Sequence, residues 1–225
     1  LLHEYRGLEL ERPDLLFSQL LIKIVKVENL EWFSKFILWG GLESFRPEDL
    51  LRTTIEGETN YPPLIYDVAM KAAKISESKD QEEQEFVIDL LDKAIKEGEL
   101  DDEESQRLVY RKAMLLVELD HHENAQDLLI PIVRSKQSEF WVWGALAKTF
   151  ENHNPEKALG LYAKACIKCN DQKFLLKTYE GLSRTSIAQD QYDLAKWAAE
   201  RALAVRTENQ WQLPKSLRDL LESDW

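Results

Sequence analysis

Apolar residues recur along most of this chain at intervals of three and four, the spacing that lines one face of an α-helix. After Pro13-Asp14 an apolar segment predicts a helix from Leu15 to about Val27. Asn29 reads as the N-cap of a second helix, Leu30 to Trp39, which Gly40-Gly41 would terminate. Pro47-Glu48-Asp49 fits the first turn of a short helix, with two carboxylates at the positive end of its dipole. Gly57, Asn60, Pro62 and Pro63 mark a loop. From Pro62 to Lys74 the positions Ile65, Val68, Ala69 and Ala72 share a face. A polar stretch, Ser76 to Gln84, leads into a helix from Phe86 to Lys96 built on Val87, Leu90, Leu91 and Ala94, with Gly98 at its end. Asp101 to Glu104 is an acidic run placed where the next helix starts; a calcium loop would need alternating Asp or Asn and a Gly, which it lacks.

Beyond this point the pattern repeats. A small residue in one helix is followed by another in the next: Ala113 then Ala125, Ala147 then Ala158, Ser183 then Ala195, at intervals of 12, 11 and 12. Each second helix continues at +4 and +3: Ala125, Leu129, Ile132; Ala158, Tyr162, Ala165; Ala195, Ala199, Ala202. The starts lie 33 and 37 residues apart, a period that predicts stacked helix pairs.

The third pair runs from Trp143-Gly144-Ala145-Leu146-Ala147 to Phe150, then from Pro155-Glu156-Lys157-Ala158 through Tyr162 to Ala165. The fourth keeps Tyr179, Leu182-Ser183, Tyr192, Leu194-Ala195, Ala199 and Ala202-Leu203. These residues resemble the signature of the tetratricopeptide repeat family, over about residues 62 to 206 and most closely in the last two pairs. The predicted fold is all-α: a right-handed α-solenoid of such helix pairs. Small residues let helices approach, and Phe150, Tyr162 and Tyr179 fill the space between them. Residues 1–57 form an N-terminal helical cap in this reading, and residues 58–225 one run of repeats closed by a capping helix, Leu213 to Ser223, with Leu213, Leu217, Leu220 and Leu221 as its stripe.

Composition agrees with helices: 8 Gly and 7 Pro in 225 residues leave little for turns and hairpins. The net charge of −12, from 29 basic and 41 acidic residues, opposes general nucleic-acid binding and adhesion to anionic membranes. No apolar run approaches the roughly 18 residues of a membrane span, and two cysteines suit a reducing compartment, so a cytoplasmic location is expected. The chain opens on Leu1, which suggests a piece of something longer.

Catalytic chemistry finds no support in the pattern. Cys166-Ile167-Lys168-Cys169 is the sole CxxC, and it falls late in a predicted helix with no second pair of ligands. His121 and His122 fall in one predicted turn and His153 in the next, where a shared metal is conceivable but polar turn residues suffice. No nucleophile elbow, phosphate-binding glycine loop or HExxH is present, so no catalytic, cofactor or metal site is predicted.

In tetratricopeptide proteins the first helix of each pair lines a concave groove. The resemblance therefore implies a partner surface of Arg107, Tyr110, Arg111 and Met114 from the second pair, Trp141 and Lys148 from the third, and Lys177, Glu180 and Arg184 from the fourth. Such a surface is basic and aromatic within an acidic chain, and suits an acidic or C-terminal peptide. The carboxylate clamp of one subfamily is not expected, because Tyr110, Met114, Ala145 and Gly181 occupy four of its positions and only Lys177 is kept. The function implied is a non-catalytic module that binds a protein or peptide, without nucleic acid, membrane or small-molecule substrate. The alternative is a regulatory or substrate-presenting domain of an enzyme whose catalytic part lies elsewhere.

Overall fold

A computed structural model describes residues 12–28, 32–55, 59–76 and 80–222. About three-quarters of the described residues are helical. The described residues form two compact units that divide between Asp120 and His121.

The first unit contains α1 (Leu15–Ile24), α2 (Phe33–Gly40), α3 (Leu64–Ser76), α4 (Gln81–Glu97) and α5 (Asp102–Glu118), with short 3-10 turns at Leu42–Ser44 and Pro47–Leu50. Its core is aromatic at the N-terminal end and aliphatic beyond. Phe17 stacks on Phe36 with ring centres 5.4 Å apart and meets Phe45 edge-on at 6.0 Å. A side chain at Gly40 would place its Cβ 2.2 Å from Phe17 Cε2, so only glycine lets α2 end against that ring. Gly41 follows in the left-handed region at φ 78, which stops the helix as expected.

Polar side chains join these helices. Asp14 caps α1 by accepting from Phe17 N at 2.6 Å. Ser18 Oγ donates to buried Asp49 Oδ2 at 2.5 Å, and Asp49 also accepts from Arg46 N at 2.9 Å, which closes the second 3-10 turn. The C-terminal carbonyls of α1 are satisfied from another helix: Lys71 Nζ on α3 donates to Ile24 O at 2.8 Å, Val25 O at 3.0 Å and Val27 O, and lies 4.6 Å from the centre of the Phe33 ring.

Where the sequence predicted a loop, two three-residue strands pair antiparallel as a hairpin, β1 (Thr53–Ile55) and β2 (Thr59–Tyr61). A β-branched run precedes Gly57, but three-residue strands are too short to show an alternating pattern. Arg52, beside β1, donates to Glu104 Oε2 at 2.6 Å and Oε1 at 3.2 Å, while its backbone N–H donates to Glu99 Oε2 at 2.9 Å. The hairpin is thereby anchored to the start of α5. There Asp101 and Glu104 form a reciprocal capping box, which accounts for the acidic run.

Two helix starts also differ from expectation. The α4 helix begins at Gln81, five residues before Phe86, because Asp80 accepts from Glu83 N at 3.0 Å and caps a polar first turn. Gly98 ends α4, but with φ −74 rather than a left-handed cap. The expected start of α2 at Asn29 and Leu30 lies outside the described residues, which show the helix from Phe33.

The second unit contains α6 (His122–Ser135), α7 (Phe140–Lys148), α8 (Pro155–Lys168), α9 (Leu176–Ile187) after a 3-10 turn at Gln172–Leu175, α10 (Tyr192–Glu208) and α11 (Lys215–Leu221). Successive helices pack on one another, α6 on α7, α7 on α8, α8 on α9 and α9 on α10. The small residues behave as predicted: Ala147, Ala158, Ser183, Ala195, Ala165 and Ala202 are all 0% exposed, as are Ala113 on α5 and Ala125 on α6. Ser183 Oγ donates to Ala195 O at 2.9 Å across the α9–α10 contact. Phe150, Tyr162 and Tyr179 are buried. The α11 helix caps α10 through Leu217 and Leu220, with Leu213 and Leu221 partly buried beside them; the expected last residue, Ser223, lies outside the described residues. No helix among the described residues is long and apolar enough to cross a membrane.

Two glycines of the second unit give opposite expectations. At Gly181 a Cβ would lie 2.4 Å from Tyr162 Cζ and Oη, whereas at Gly160 nothing lies within 4 Å. Gly181→Ala should destabilise the protein by about 1–3 kcal/mol through overpacking, and Gly160→Ala should stabilise it by about 0.5–1 kcal/mol as a helix-interior substitution. Urea denaturation of the two variants checks the signs; equal effects would mean that α8 and α9 are not in this register. In the first unit, Lys71→Met keeps the apolar stem over Phe33 but removes three donors. It should cost about 1–3 kcal/mol, read from the same unfolding curves.

Candidate functional site

The predicted partner surface is distributed over both units. Arg107, Tyr110, Arg111 and Met114 all lie on α5 of the first unit. Their +3, +4 and +7 spacing puts them on the side of the helix that is not buried: Arg107 is exposed and the other three are half-buried. Leu108, Ala113, Leu115 and Leu116 take the packed side. Arg107 Nη2 donates to Glu103 Oε1 at 2.5 Å, one turn earlier. The Tyr66 phenol and then Glu103 hold the guanidinium in its charged form.

In the second unit Trp141 and Lys148 stand seven residues apart on α7, both half-buried. Lys136 Nζ lies 5.8 Å from the centre of the Trp141 ring. On α9, Lys177 and Arg184 are also seven residues apart and both exposed. Thr178, Tyr179, Leu182 and Ser183 take the buried side.

The sequence reading did not assign a role to Glu151. It sits in the turn after α7 and accepts from Arg184 Nη2 at 3.2 and 3.4 Å, and from the Tyr162 phenol. Burial, followed by the neighbouring Glu151 charge, pushes the Tyr162 phenol well above its ordinary pKa. Arg184 is thus held by a carboxylate from the preceding repeat. Glu180 is likewise engaged, accepting from Arg206 Nη2 of α10 at 3.3 Å. No spacing in the sequence announces Glu151: it precedes Arg184 by 33 residues, whereas the third and fourth pairs are offset by 37.

Charge is unevenly divided. Residues 1–120 carry 15 basic and 27 acidic side chains, and residues 121–225 carry 14 of each, so the whole net charge of −12 belongs to the first unit. A neutral second unit presents its cations over aromatic rings. Lys164 Nζ lies 3.5 Å from the ring centre of Trp143, Lys157 3.9 Å from that of Phe150, and the Arg201 guanidinium 5.6 Å from that of Trp197.

The cysteines fall at the end of a helix as expected, whereas His122, expected in a turn, is already helical. Cys166 lies in the last turn of α8 and Cys169 caps it, with its Sγ donating to Asp171 O at 3.1 Å. Both are free thiols. His122 opens α6 and His153 lies in the α7–α8 turn; their rings approach to 5.4 Å, and Gln126 Nε2 is 3.3 Å from His153 Nε2. Among the described residues no three His, Cys, Asp or Glu side chains are grouped to hold a metal ion.

These features define an all-helical protein of tetratricopeptide-like fold. Two solved structures share that fold over most of its length. A MamA RS-1 ArsTM double mutant superposes with a TM-score of 0.57 at 14% identity, covering 88% of this chain and 96% of the other. MamA from Desulfovibrio magneticus RS-1, residues 41 to the end, gives a TM-score of 0.54 at 16% identity, covering 87% and 94%. By sequence the chain belongs to the family described as a domain of unknown function (DUF7017), whose model matches residues 107–225. No curated protein sequence matches it.

Burial pushes the Cys166 thiol up to about 11, with the Cys169 sulfur adding to the shift. Because only the thiolate reacts, alkylation of Cys166 should be slow at neutral pH and rise with pH toward a midpoint near 11. Iodoacetamide labelling followed by mass spectrometry, in a Cys169→Ser variant, measures this directly. Rapid labelling at pH 7 would reveal an activated thiol and reopen a redox role.

Proposed function

We propose that this protein is a non-catalytic interaction scaffold that holds a protein or peptide partner on the outward faces of α7 and α9 in the second unit, with α5 offering a face of the same kind in the first. The observation carrying the proposal is the seven-residue spacing of Lys177 and Arg184 on α9, repeated by Trp141 and Lys148 on α7 and by Arg107 and Met114 on α5, with the opposite faces buried. Helices of this kind spend one face on the fold and offer the other, and their long basic and aromatic side chains are the types that anchor protein interfaces. The tetratricopeptide-like fold supports the same reading, since stacked helix pairs present extended surfaces without a catalytic cleft. Because Glu151 engages Arg184 and Glu103 engages Arg107, a partner on these faces meets arginines already oriented by carboxylates. The exchange of one carboxylate for another then favours selectivity over raw affinity.

Lys148→Glu combined with Lys177→Glu should abolish capture of the partner from a native lysate of the source organism. Each change removes an attraction and adds a repulsion. Thermal stability should fall by less than about 1 kcal/mol, since surface charges contribute little. Lys196→Glu, exposed on α10, is the matched control and should retain capture. Capture lost in the control and kept in the double variant would move the binding surface to the second helices of the pairs.

A further inference from the structure

The two most exposed large apolar side chains among the described residues are Ile167, 80% exposed, and Phe174, 59% exposed. They are separated by seven residues across the α8–α9 connection of the second unit. Ile167 belongs to a helix that buries Ala158, Leu159, Tyr162 and Ala165 and leaves Leu161 half-buried. Phe174 is held in place rather than loose: its ring lies 6.3 Å from that of Phe140 on α7, and Lys173 Nζ lies 4.9 Å from its centre.

Lysines surround the pair. Lys164, Lys168, Lys173 and Lys177 are all exposed, and between Lys164 and Lys177 the sequence contains a single acid, Asp171. Asp171 is 2.8 Å from Lys173 Nζ. Four cations against one anion in 14 residues make this segment locally cationic in a chain of net charge −12. Lys164 is fixed over Trp143, so its charge is presented and not free to swing away.

We infer that the α8–α9 connection binds an acidic segment of a partner protein that carries apolar side chains between its acids. The proposal rests on the interaction reading above and names the chemistry of its partner. Charge complementarity selects the acids, since an extended acidic strand lets each carboxylate meet one lysine. The exposed Ile167 and Phe174 select the apolar residues between them, whose burial supplies contact that a purely acidic chain lacks. An anionic membrane offers the same two chemistries but fits less well. Its charge is a continuous plane of headgroups with no apolar side chains interleaved between the anions, whereas Ile167 and Phe174 lie among the lysines. A peptide reaches only the patch, and beyond a Debye length of about 8–10 Å the distant acids are screened.

The test is fluorescence anisotropy with the full chain and a short labelled synthetic peptide alternating Asp and Glu with Leu and Phe. The parent should bind it, more weakly at high salt. Lys168→Glu with Lys173→Glu should weaken binding by about tenfold or more, and Ile167→Ser, at a site exposed enough to leave folding unaffected, by about threefold or more. A peptide with Ser in place of Leu and Phe should bind more weakly than the parent peptide. Failure of the parent to bind, binding unchanged in these variants, or stronger retention on phosphatidylserine vesicles than on the peptide would each overturn the proposal. Lys177 is shared with the α9 face, but Lys168, Lys173 and Ile167 lie outside the α5, α7 and α9 faces. Peptide binding lost only in the Lys148 and Lys177 variant would therefore overturn this surface and leave the scaffold reading standing, whereas loss of lysate capture in the Lys196 control would strike that reading and leave this one.

Discussion

The second unit depends on how closely its helices approach one another. The α7–α8 and α9–α10 pairs meet at Ala147 and Ala158, and at Ser183 and Ala195, and none of the four has any solvent-exposed surface. Close backbone approach leaves no room for a larger side chain, and the space released around each contact is filled by an aromatic ring. Tyr162 fills it so closely on α8 that the facing position, 181, has no room for a Cβ. Small residues and large rings must therefore alternate along the chain with the period of the helix pair. That requirement is what makes the repeat visible in sequence, and it also fixes which helix faces are left over.

What remains outside those contacts is where binding chemistry can reside. On α9 the buried side is occupied by Thr178, Tyr179, Leu182 and Ser183, leaving Lys177 and Arg184 outward. Packing thus positions the candidate surface without any contribution from the surface residues themselves. The polar links refine it. Glu151 reaches from one repeat to Arg184 in the next, and Glu180 on α9 is held by Arg206 on α10. These pairs orient side chains that would otherwise sample many rotamers, so less freedom is lost when a partner docks.

Legibility in the sequence followed the same division. Contacts repeated at 33 to 37 residues were readable because several copies report the same constraint: Ala158 and Ala195 needed only each other to be recognised. Features that occur once were harder to read. The hairpin of β1 and β2 has three residues per strand, too few for alternation to emerge, and its anchor is a long-range pair between Arg52 and Glu104. The first turn of α4 is polar because it faces water, so apolar periodicity placed the start at Phe86 while the Asp80 cap sets it at Gln81. The Lys71 contact with the end of α1 joins residues more than forty positions apart, and nothing in either local pattern announces it. The α5, α7 and α9 stripes came from the family resemblance together with helical spacing, and the carboxylates that engage two of their arginines became visible only in three dimensions.

Net charge was the property most easily misapplied. A value of −12 for the whole chain argues against anionic partners if charge is treated as uniform. Electrostatic interactions between exposed groups decay over about 8–10 Å at physiological salt, a distance shorter than either unit. What a partner experiences is therefore the charge of the segment it touches. The second unit is neutral as a whole, and its α8–α9 connection is locally cationic around two exposed apolar side chains. The acidic first unit then has a separate physical effect. Its excess of acids works against the binding of anionic surfaces to that unit. A short acidic segment that engages the α8–α9 connection, as proposed above, meets the local cations instead. Uneven charge on one chain can in this way favour an anion at one unit and disfavour it at the other, with no dedicated pocket required.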